Sequence, residues 1–189
     1  MTAKSATTLS VALIHCPVVN KNKEIISSAF TNLDIHDIAR AAKTYGVDKY
    51  YIVSPHQDQL ALLTELLDHW LNGYGARYNP ARKQALSLIQ LEKTLEDVIA
   101  GITKDHGEQP IRVATSAIQR ENNLSYKELR TKLRARQPVL LLLGTAHGLA
   151  PEVVEKSDYT LQPIDGGTGY NHLSVRSAAA IMLDRLLAD

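Results

Sequence analysis

The sequence predicts an α/β fold in which helices lie on both faces of a mainly parallel sheet. The run from Val139 to Leu143 is apolar at every position, which is typical of a parallel strand that is buried on both faces. Similar short apolar runs alternate along the chain with segments of helical spacing. A chain of 189 residues is long enough for one such unit, so we expect residues 1–189 to form a single domain.

The short apolar runs predict six strands. In chain order the predicted strands cover 10–17, 49–54, 86–91, 111–114, 139–144 and 158–162.

Capping residues and helical periodicity predict five helices. The first begins with Asn32 or Asp34 as its cap and ends before Gly46. Ser125, with Glu128 three residues later, forms a capping-box pattern at the start of the fourth. The predicted helices cover 34–45, 57–71, 94–105, 125–134 and 174–187. Residues 72–80, which carry two glycines, two asparagines and two tyrosines, are predicted to form a loop.

The composition bounds the compartment and the class of partner. Lys and Arg number 21 against 20 Asp and Glu, so only local clusters of charge bear on a polyanionic partner. A single cysteine, Cys16, excludes an intrachain disulfide and suits a reducing compartment. No uninterrupted apolar segment reaches the roughly 20 residues that span a bilayer, and the first ten residues are polar. We therefore expect a cytoplasmic protein without a membrane partner.

Two segments concentrate basic residues. Residues 130–136 hold four cations within seven positions, and residues 77–83 mix Arg77, Arg82 and Lys83 with Tyr78. Such segments suit phosphate contacts and stacking on an unpaired base. A solvated helix face is the alternative for residues 130–136.

Two glycine-bearing polar loops mark the predicted site. One, 144–149, directly follows the buried run at 139–143, and the other, 166–174, precedes the last helix. In open α/β sheets, ligands bind beyond the carboxyl ends of the strands. Gly144 and Gly148 allow the main chain to approach a ligand closely and to adopt a positive φ. The sequence therefore predicts a binding site at these loops.

Three segments of the chain resemble the motifs of a known enzyme class. Residues 34–47, 144–149 and 170–181 are similar, in order and spacing, to the three motifs of SPOUT-class (α/β-knot) RNA methyltransferases. With residues 70–80, the pattern is most similar to the bacterial tRNA (guanine-N1-)-methyltransferase C-terminal-like subfamily. The resemblance implies a C-terminal trefoil knot, S-adenosylmethionine (SAM) as the cofactor, a tRNA or rRNA substrate, and a homodimer.

The same resemblance implies the site residues. Arg40 holds the place of the first-motif arginine, and Asp34 or Asp37 is the candidate general base. In the ribose-methylating branch an asparagine lies six residues before that arginine, whereas here Asp34 holds the place, which favours a base nitrogen over a ribose 2′-oxygen. The implied cofactor-binding residues are Leu143, Gly144, Thr145, Ala146, His147, Gly148, Leu161, Pro163, Ile164, Tyr170, Asn171, His172, Leu173 and Ser174.

Two other functions compete with this interpretation. The cluster of Asp34, His36 and Asp37 suggests a metal-dependent phosphohydrolase, but no second His/Asp cluster follows another strand, so no metal is expected. A non-catalytic RNA-binding module of the same fold would carry the same motifs. The glycine signatures of dinucleotide enzymes and of P-loop hydrolases are absent from the sequence.

Overall fold

A computed structural model describes residues 7–119 and 123–188 and contains a parallel sheet of seven strands. The sheet order is β5-β4-β1-β8-β6-β9-β7, and every pairing in it is parallel. A small antiparallel hairpin, β2-β3, lies outside it. The strands are β1 (Leu9–Ile14), β2 (Val18–Val19), β3 (Ile25–Ile26), β4 (Tyr50–Val53), β5 (Ile89–Glu92), β6 (Ile111–Ala114), β7 (Asn123–Leu124), β8 (Val139–Gly144) and β9 (Tyr159–Leu161).

Residues 7–119 and 123–188 form eight helices. They are α1 (Asn32–Tyr45), α2 (Gln57–Leu71), α3 (Tyr74–Tyr78), α4 (Pro80–Leu86), α5 (Leu95–His106), α6 (Tyr126–Arg134), α7 (Pro151–Glu155) and α8 (Val175–Leu187).

Alternate residues of the central strands point into two separate cores. Leu141 of β8 packs in the core that includes α1 and α8, whereas Leu140 and Leu142 pack in the core that includes α5. Both faces of β8 are buried, which accounts for its unbroken apolar sequence. The arrangement confirms the predicted α/β fold with helices on both faces.

Several element boundaries differ from the prediction. The first helix begins earlier than predicted, because Thr31 is its cap: the Thr31 hydroxyl accepts a hydrogen bond from the Asp34 N–H at 3.2 Å. Residues 72–80, predicted as a loop, contain α3 and the start of α4, which uses Asn79 as its cap and Pro80 at its first position. That helix also delays β5, which begins at Ile89 rather than at residue 86.

Three of the strands are very short. The strands β2, β3 and β7 have two residues each, too few to show a period in the sequence.

Over 7–119 and 123–188, none of the helices combines the length and the apolar character needed to cross a membrane. The polar start of the chain is only partly described, because residues 1–6 lie outside those ranges.

Candidate functional site

The predicted loops lie at the carboxyl edge of the sheet. Neighbouring strands are in parallel register, with Ala114 of β6 opposite Leu142 of β8 and Thr160 of β9. The loops that follow β8 and β9 therefore leave the sheet at the same edge. The loop after β9 ends at Ser174, which caps α8 by accepting a hydrogen bond from the Ser177 N–H at 3.3 Å.

The loop after β8 is a tight main-chain structure. A Cβ on Gly144 would lie 2.5 Å from the Leu149 nitrogen, so only glycine fits where the chain folds back on itself. Gly148 has a φ of 114°, as the sequence suggested, and Ala146 also has a positive φ, of 51°. The His147 N–H donates to the Val19 carbonyl at 3.0 Å, which fixes the loop to the β2-β3 hairpin.

A buried hydrogen-bond chain supports this loop, and sequence reasoning missed it. His15 Nδ1 lies 3.1 Å from Ser28 Oγ, Ser28 Oγ bonds to Thr145 Oγ1, and Thr145 Oγ1 donates to the Ile14 carbonyl at 3.0 Å. Because the Thr145 hydroxyl donates its proton to the Ile14 carbonyl in a hydrogen bond, it accepts a hydrogen bond from the Ser28 hydroxyl. The Ser28 oxygen in turn accepts a hydrogen bond from the imidazole N–H of His15. Burial lowers the pKa of His15, against smaller opposing effects of Asp34 and Ser28. The only sequence signal was a histidine at the end of an apolar run.

The predicted carboxylates lie at the same edge as the loops. The last turn of α1 is at the opposite edge, because the Gly46 carbonyl accepts from the Thr7 N–H just before β1. Asp34 and Asp37 are in the first turns of α1, so they belong to the carboxyl edge.

An arginine of α8 joins the two carboxylates to the last loop. Arg176 Nε lies 3.6 Å from Asp34 Oδ1, and Arg176 Nη1 lies 3.7 Å from Asp37 Oδ2. Asp184, two turns further along α8, instead accepts a hydrogen bond from the Tyr45 hydroxyl at 2.8 Å. The first turns of α1 and α8 are thereby brought together.

The surroundings of Arg40 leave its guanidinium exposed. Among residues 7–119 and 123–188 it forms no ion pair, and Asp37, three residues before it, pairs with Arg176 instead. Burial lowers the pKa of the neighbouring His36, and the charges of Arg82 and Arg40 lower it further, against the carboxylate of Asp37. Arg40 therefore lies on the same side of α1 as His36, which precedes it by one helical turn.

The loop before α8 presents exposed groups. The Asn171 side-chain amide donates to the Ala117 carbonyl at 3.0 Å, and the Tyr170 and His172 rings meet edge to face at 5.4 Å. The main-chain N–H groups of residues 171–173 donate to no other described residue. This loop can therefore offer main-chain donors to a ligand.

Other predicted cofactor residues have their side chains in the protein interior. Leu143, Leu161 and Pro163 are buried, and Ile164 packs against the core, so that at Leu143, Leu161 and Pro163 only the main chain can meet a ligand. Thr145 is buried and is committed to the chain with His15, whereas the side chains of Ala146 and His147 are exposed.

The basic segment at 130–136 lies at the far end of the sheet. Lys132 lies 5.0 Å from the ring centre of Tyr159, the first residue of β9. The Gln137 carbonyl, next in the chain, accepts from the Thr8 hydroxyl at 2.8 Å, just before β1. Both contacts place the segment at the amino edge, away from the loops by the length of a strand, at about 3.3 Å per residue.

The acidic and histidine residues of α1 do not converge as a metal site would require. Within the two described ranges, His, Cys, Asp and Glu side chains form no group of three able to hold a metal ion. His36 instead meets the Trp70 ring edge to face, with the ring centres 5.3 Å apart. The geometry of a metal-dependent hydrolase is not found there.

Comparison with known proteins agrees with this arrangement. A family model described as SAM-dependent RNA methyltransferase matches residues 8–188. The chain belongs to this family. A tRNA (guanine-N(1)-)-methyltransferase of Oleidesulfovibrio alaskensis is 49% identical over 181 residues, which cover 96% of this chain and 42% of the relative. An uncharacterized protein of Aquifex aeolicus is 41% identical over 179 residues, 94% of this chain and 87% of its own length.

The solved structures of this class share the fold. The TrmH/SpoU tRNA modifying enzyme of A. aeolicus superposes with a TM-score of 0.55 at 18% identity, covering 95% of this chain and 74% of that one. This chain spans less than half the length of the O. alaskensis relative.

The loops of the chain fit the cofactor of the family. The N–H groups of residues 171–173, which donate to no other described residue, can make the main-chain contacts that an adenosyl group needs. The turn at 144–148 leaves open space beside Gly148, where a Cβ would meet nothing within 4 Å. Tyr170 and Leu173 add exposed apolar surface to the loop at 166–174.

Proposed function

We propose that this methyltransferase-family chain transfers a methyl group from SAM to a nucleotide of tRNA or rRNA. The observation that carries the proposal is the pair of contacts between Arg176 and the carboxylates of Asp34 and Asp37. They join the acid-base candidates to the loop that fits the cofactor. SAM, when bound, supplies an electrophilic methyl group on a sulfonium, and the chain must position the acceptor and receive its proton.

We favour a base nitrogen over a ribose oxygen as the acceptor. A guanine N1 carries a proton that must leave when the methyl group is added, and a carboxylate at the edge can accept it. The names of the relatives support guanine N1. Asp37 is the better candidate for this role, because its side chain is exposed and it meets only Arg176 among the described residues, whereas Asp34 also accepts a hydrogen bond from the Thr31 hydroxyl.

We further infer that residues 1–189 form one knotted domain and that two copies assemble as a homodimer. Support for the knot comes from β9, which lies between β6 and β7 although those two follow one another in the chain. The chain leaving β9 then meets the β6-β7 connection through Asn171 and Ala117. The dimer rests on the resemblance to the SPOUT class, and light scattering on the purified protein tests it.

Calorimetry and a transfer assay test the proposed function. The protein should bind SAM and S-adenosylhomocysteine, and should pass labelled methyl groups to tRNA or rRNA from cells that lack the gene. Asp37→Asn should reduce transfer at least 100-fold, because the amide accepts no proton. Asp58→Asn, an exposed carboxylate in the first turn of α2, is the matched control.

The outcomes separate the competing functions. RNA binding without binding of SAM or S-adenosylhomocysteine would identify a non-catalytic RNA-binding module. Transfer to a ribose oxygen, detected by nucleoside mass spectrometry, would contradict the assignment of a base nitrogen. It would still agree with methyl transfer from SAM to RNA.

A further inference from the structure

Helix α3 exposes two stacked tyrosine rings. Tyr74 and Tyr78 are 72% and 74% exposed, their ring centres are 6.1 Å apart and their planes differ by 21°. They lie one helical turn apart, so both rings belong to the same face of α3. Large aromatic side chains are ordinarily covered in a folded chain, and two parallel exposed rings form a flat apolar surface.

Trp70 fixes this surface beside the candidate site. A Cβ on Gly75 of α3 would lie 2.7 Å from Trp70 Cε3, so α3 packs directly on the indole. The indole also contacts His36 in α1, edge to face, with 5.3 Å between the ring centres. Since His36 precedes Asp37, the tyrosine pair is connected to the first turns of α1 through a single side chain.

The chain segment that carries the tyrosine pair is basic. Residues 69–91 contain no Asp or Glu and include Arg77, Arg82 and Lys83. The guanidinium of Arg82 lies over the Trp70 ring, 4.8 Å from its centre, and so already has a partner within the protein. The side chains of Arg77 and Lys83 are exposed. An exposed cation next to an exposed aromatic ring suits a nucleotide, whose base stacks and whose phosphate carries the opposite charge.

A second copy of the chain suits this surface less well. In a two-fold interface the same patch meets itself, so the cations of α3 and α4 would face like charges. An unpaired nucleotide has no such repulsion, because its phosphate complements Arg77 and Lys83.

We propose that Tyr74 and Tyr78 form a stacking platform for an unpaired base of the RNA substrate, next to the nucleotide that is methylated. Arg77 and Lys83 contact the flanking phosphates. The platform rests on the proposed RNA substrate, and it makes single-stranded or loop RNA the preferred form, since bases inside a duplex have no free face for a ring.

Binding measurements with matched variants test the platform. The probes are bulk tRNA from cells that lack the gene, a single-stranded RNA oligonucleotide and a fully paired duplex, measured by fluorescence anisotropy. Tyr74→Ala with Tyr78→Ala should weaken binding of tRNA and of the single strand by about tenfold or more, as expected for the loss of base stacking. Tyr74→Phe with Tyr78→Phe keeps the rings and should bind within threefold of the wild type.

Two further measurements separate the platform from a structural effect. SAM affinity by calorimetry should stay within twofold in the alanine variant, while the KM for tRNA rises. Arg77→Ala should flatten the salt dependence of binding, and Arg134→Ala, an exposed cation at the amino edge, should not.

Each contrary result has a distinct meaning. Unchanged RNA affinity in the alanine variant would overturn the platform and leave methyl transfer intact. Unchanged RNA affinity together with a change of oligomeric state would assign the tyrosines to an interface between copies and would also overturn it. Wild-type protein that binds RNA through the tyrosines but transfers no methyl group would contradict the proposed methyl transfer and leave the platform standing. Failure to bind any of the three probes would contradict both the platform and the proposed function.

Discussion

The Arg176 guanidinium lies 3.7 Å from the Asp37 carboxylate, so a residue near the end of the chain completes the charge pattern of the first helix. The distances to Asp34 and Asp37 are longer than those of a direct hydrogen bond, and the groups are only partly buried. Pairs of this kind contribute about 1 kcal/mol or less to stability. The two ion pairs therefore position the carboxylates more than they stabilise the fold, because they hold both carboxylates next to the loop that ends at Ser174.

Arg176→Ala should separate stability from activity. We expect the free energy of unfolding to fall by about 1 kcal/mol or less, since the pairs are partly solvated. Methyl transfer should fall at least tenfold, because the carboxylates lose the cation that aligns them. Denaturant unfolding and a single-turnover transfer assay measure the two effects, with Arg176→Lys as the control that keeps the charge. A large loss of stability with normal transfer would contradict the positional role.

Arg40→Ala should abolish transfer while leaving SAM affinity within a few fold. The side chain is exposed and forms no ion pair within 7–119 and 123–188, so its removal should cost little stability. Lys43→Ala, an exposed cation in the last turn of the same helix, is the matched control. Turnover of the Arg40 variant at the wild-type rate would remove Arg40 from the site.

Gly144→Ala should disturb the loop after β8. The added methyl group would lie 2.5 Å from the Leu149 nitrogen, so the main chain must shift, and overpacking of this kind costs about 1–3 kcal/mol. We expect weaker SAM binding in calorimetry and a lower melting temperature. Gly101→Ala in α5 serves as the control, because a Cβ there would meet only the Tyr51 hydroxyl, at an ordinary contact distance of 3.8 Å. Equal effects of the two substitutions would show that the close approach at Gly144 is unimportant.

The buried His15 should make stability depend on pH. Burial lowers its pKa in the folded state, so the unfolded chain binds a proton more readily as the pH falls through the usual range of about 6.5. The stabilisation is therefore present above that range and is lost as the pH drops toward the depressed folded pKa. His36, whose pKa burial also lowers, acts in the same direction.

Urea unfolding between pH 7.5 and 5 measures this effect. The wild type should lose stability toward pH 5, and His15→Gln should flatten the curve while lowering stability at pH 7.5, because the bond to Ser28 is disturbed. His56→Gln, at an exposed position, is the control. An unchanged slope in the His15 variant would contradict the buried, neutral imidazole.

Local patterns were sufficient to predict the principal elements. Gly46 ends α1 in a left-handed conformation, and Ser125 with Glu128 forms the predicted capping box. Each signal acts within one helical turn, so its meaning does not depend on the rest of the fold. The same holds for β8, whose apolar run reports burial on both faces directly.

Predictions failed where a residue's neighbour is distant in the chain. No local pattern links Arg176 with Asp34, because helical spacing relates only residues of one helix. The contacts of Trp70 with His36 and Arg82 cross three helices, and the loop composition at 72–80 concealed α3.

The amino-acid sequence by itself determined the α/β class, the main strands and helices, the glycine turn after β8 and the motifs that place the chain in its family. Tertiary structure alone decided that Arg176 bridges two carboxylates of α1, that His15 supports Thr145 through Ser28, and that Trp70 connects α3 to the site. The physical reason is the range of the forces. Propensity, capping and periodicity act over a few residues, whereas packing and charge pairing act between surfaces that exist only once the strands have been ordered in the sheet.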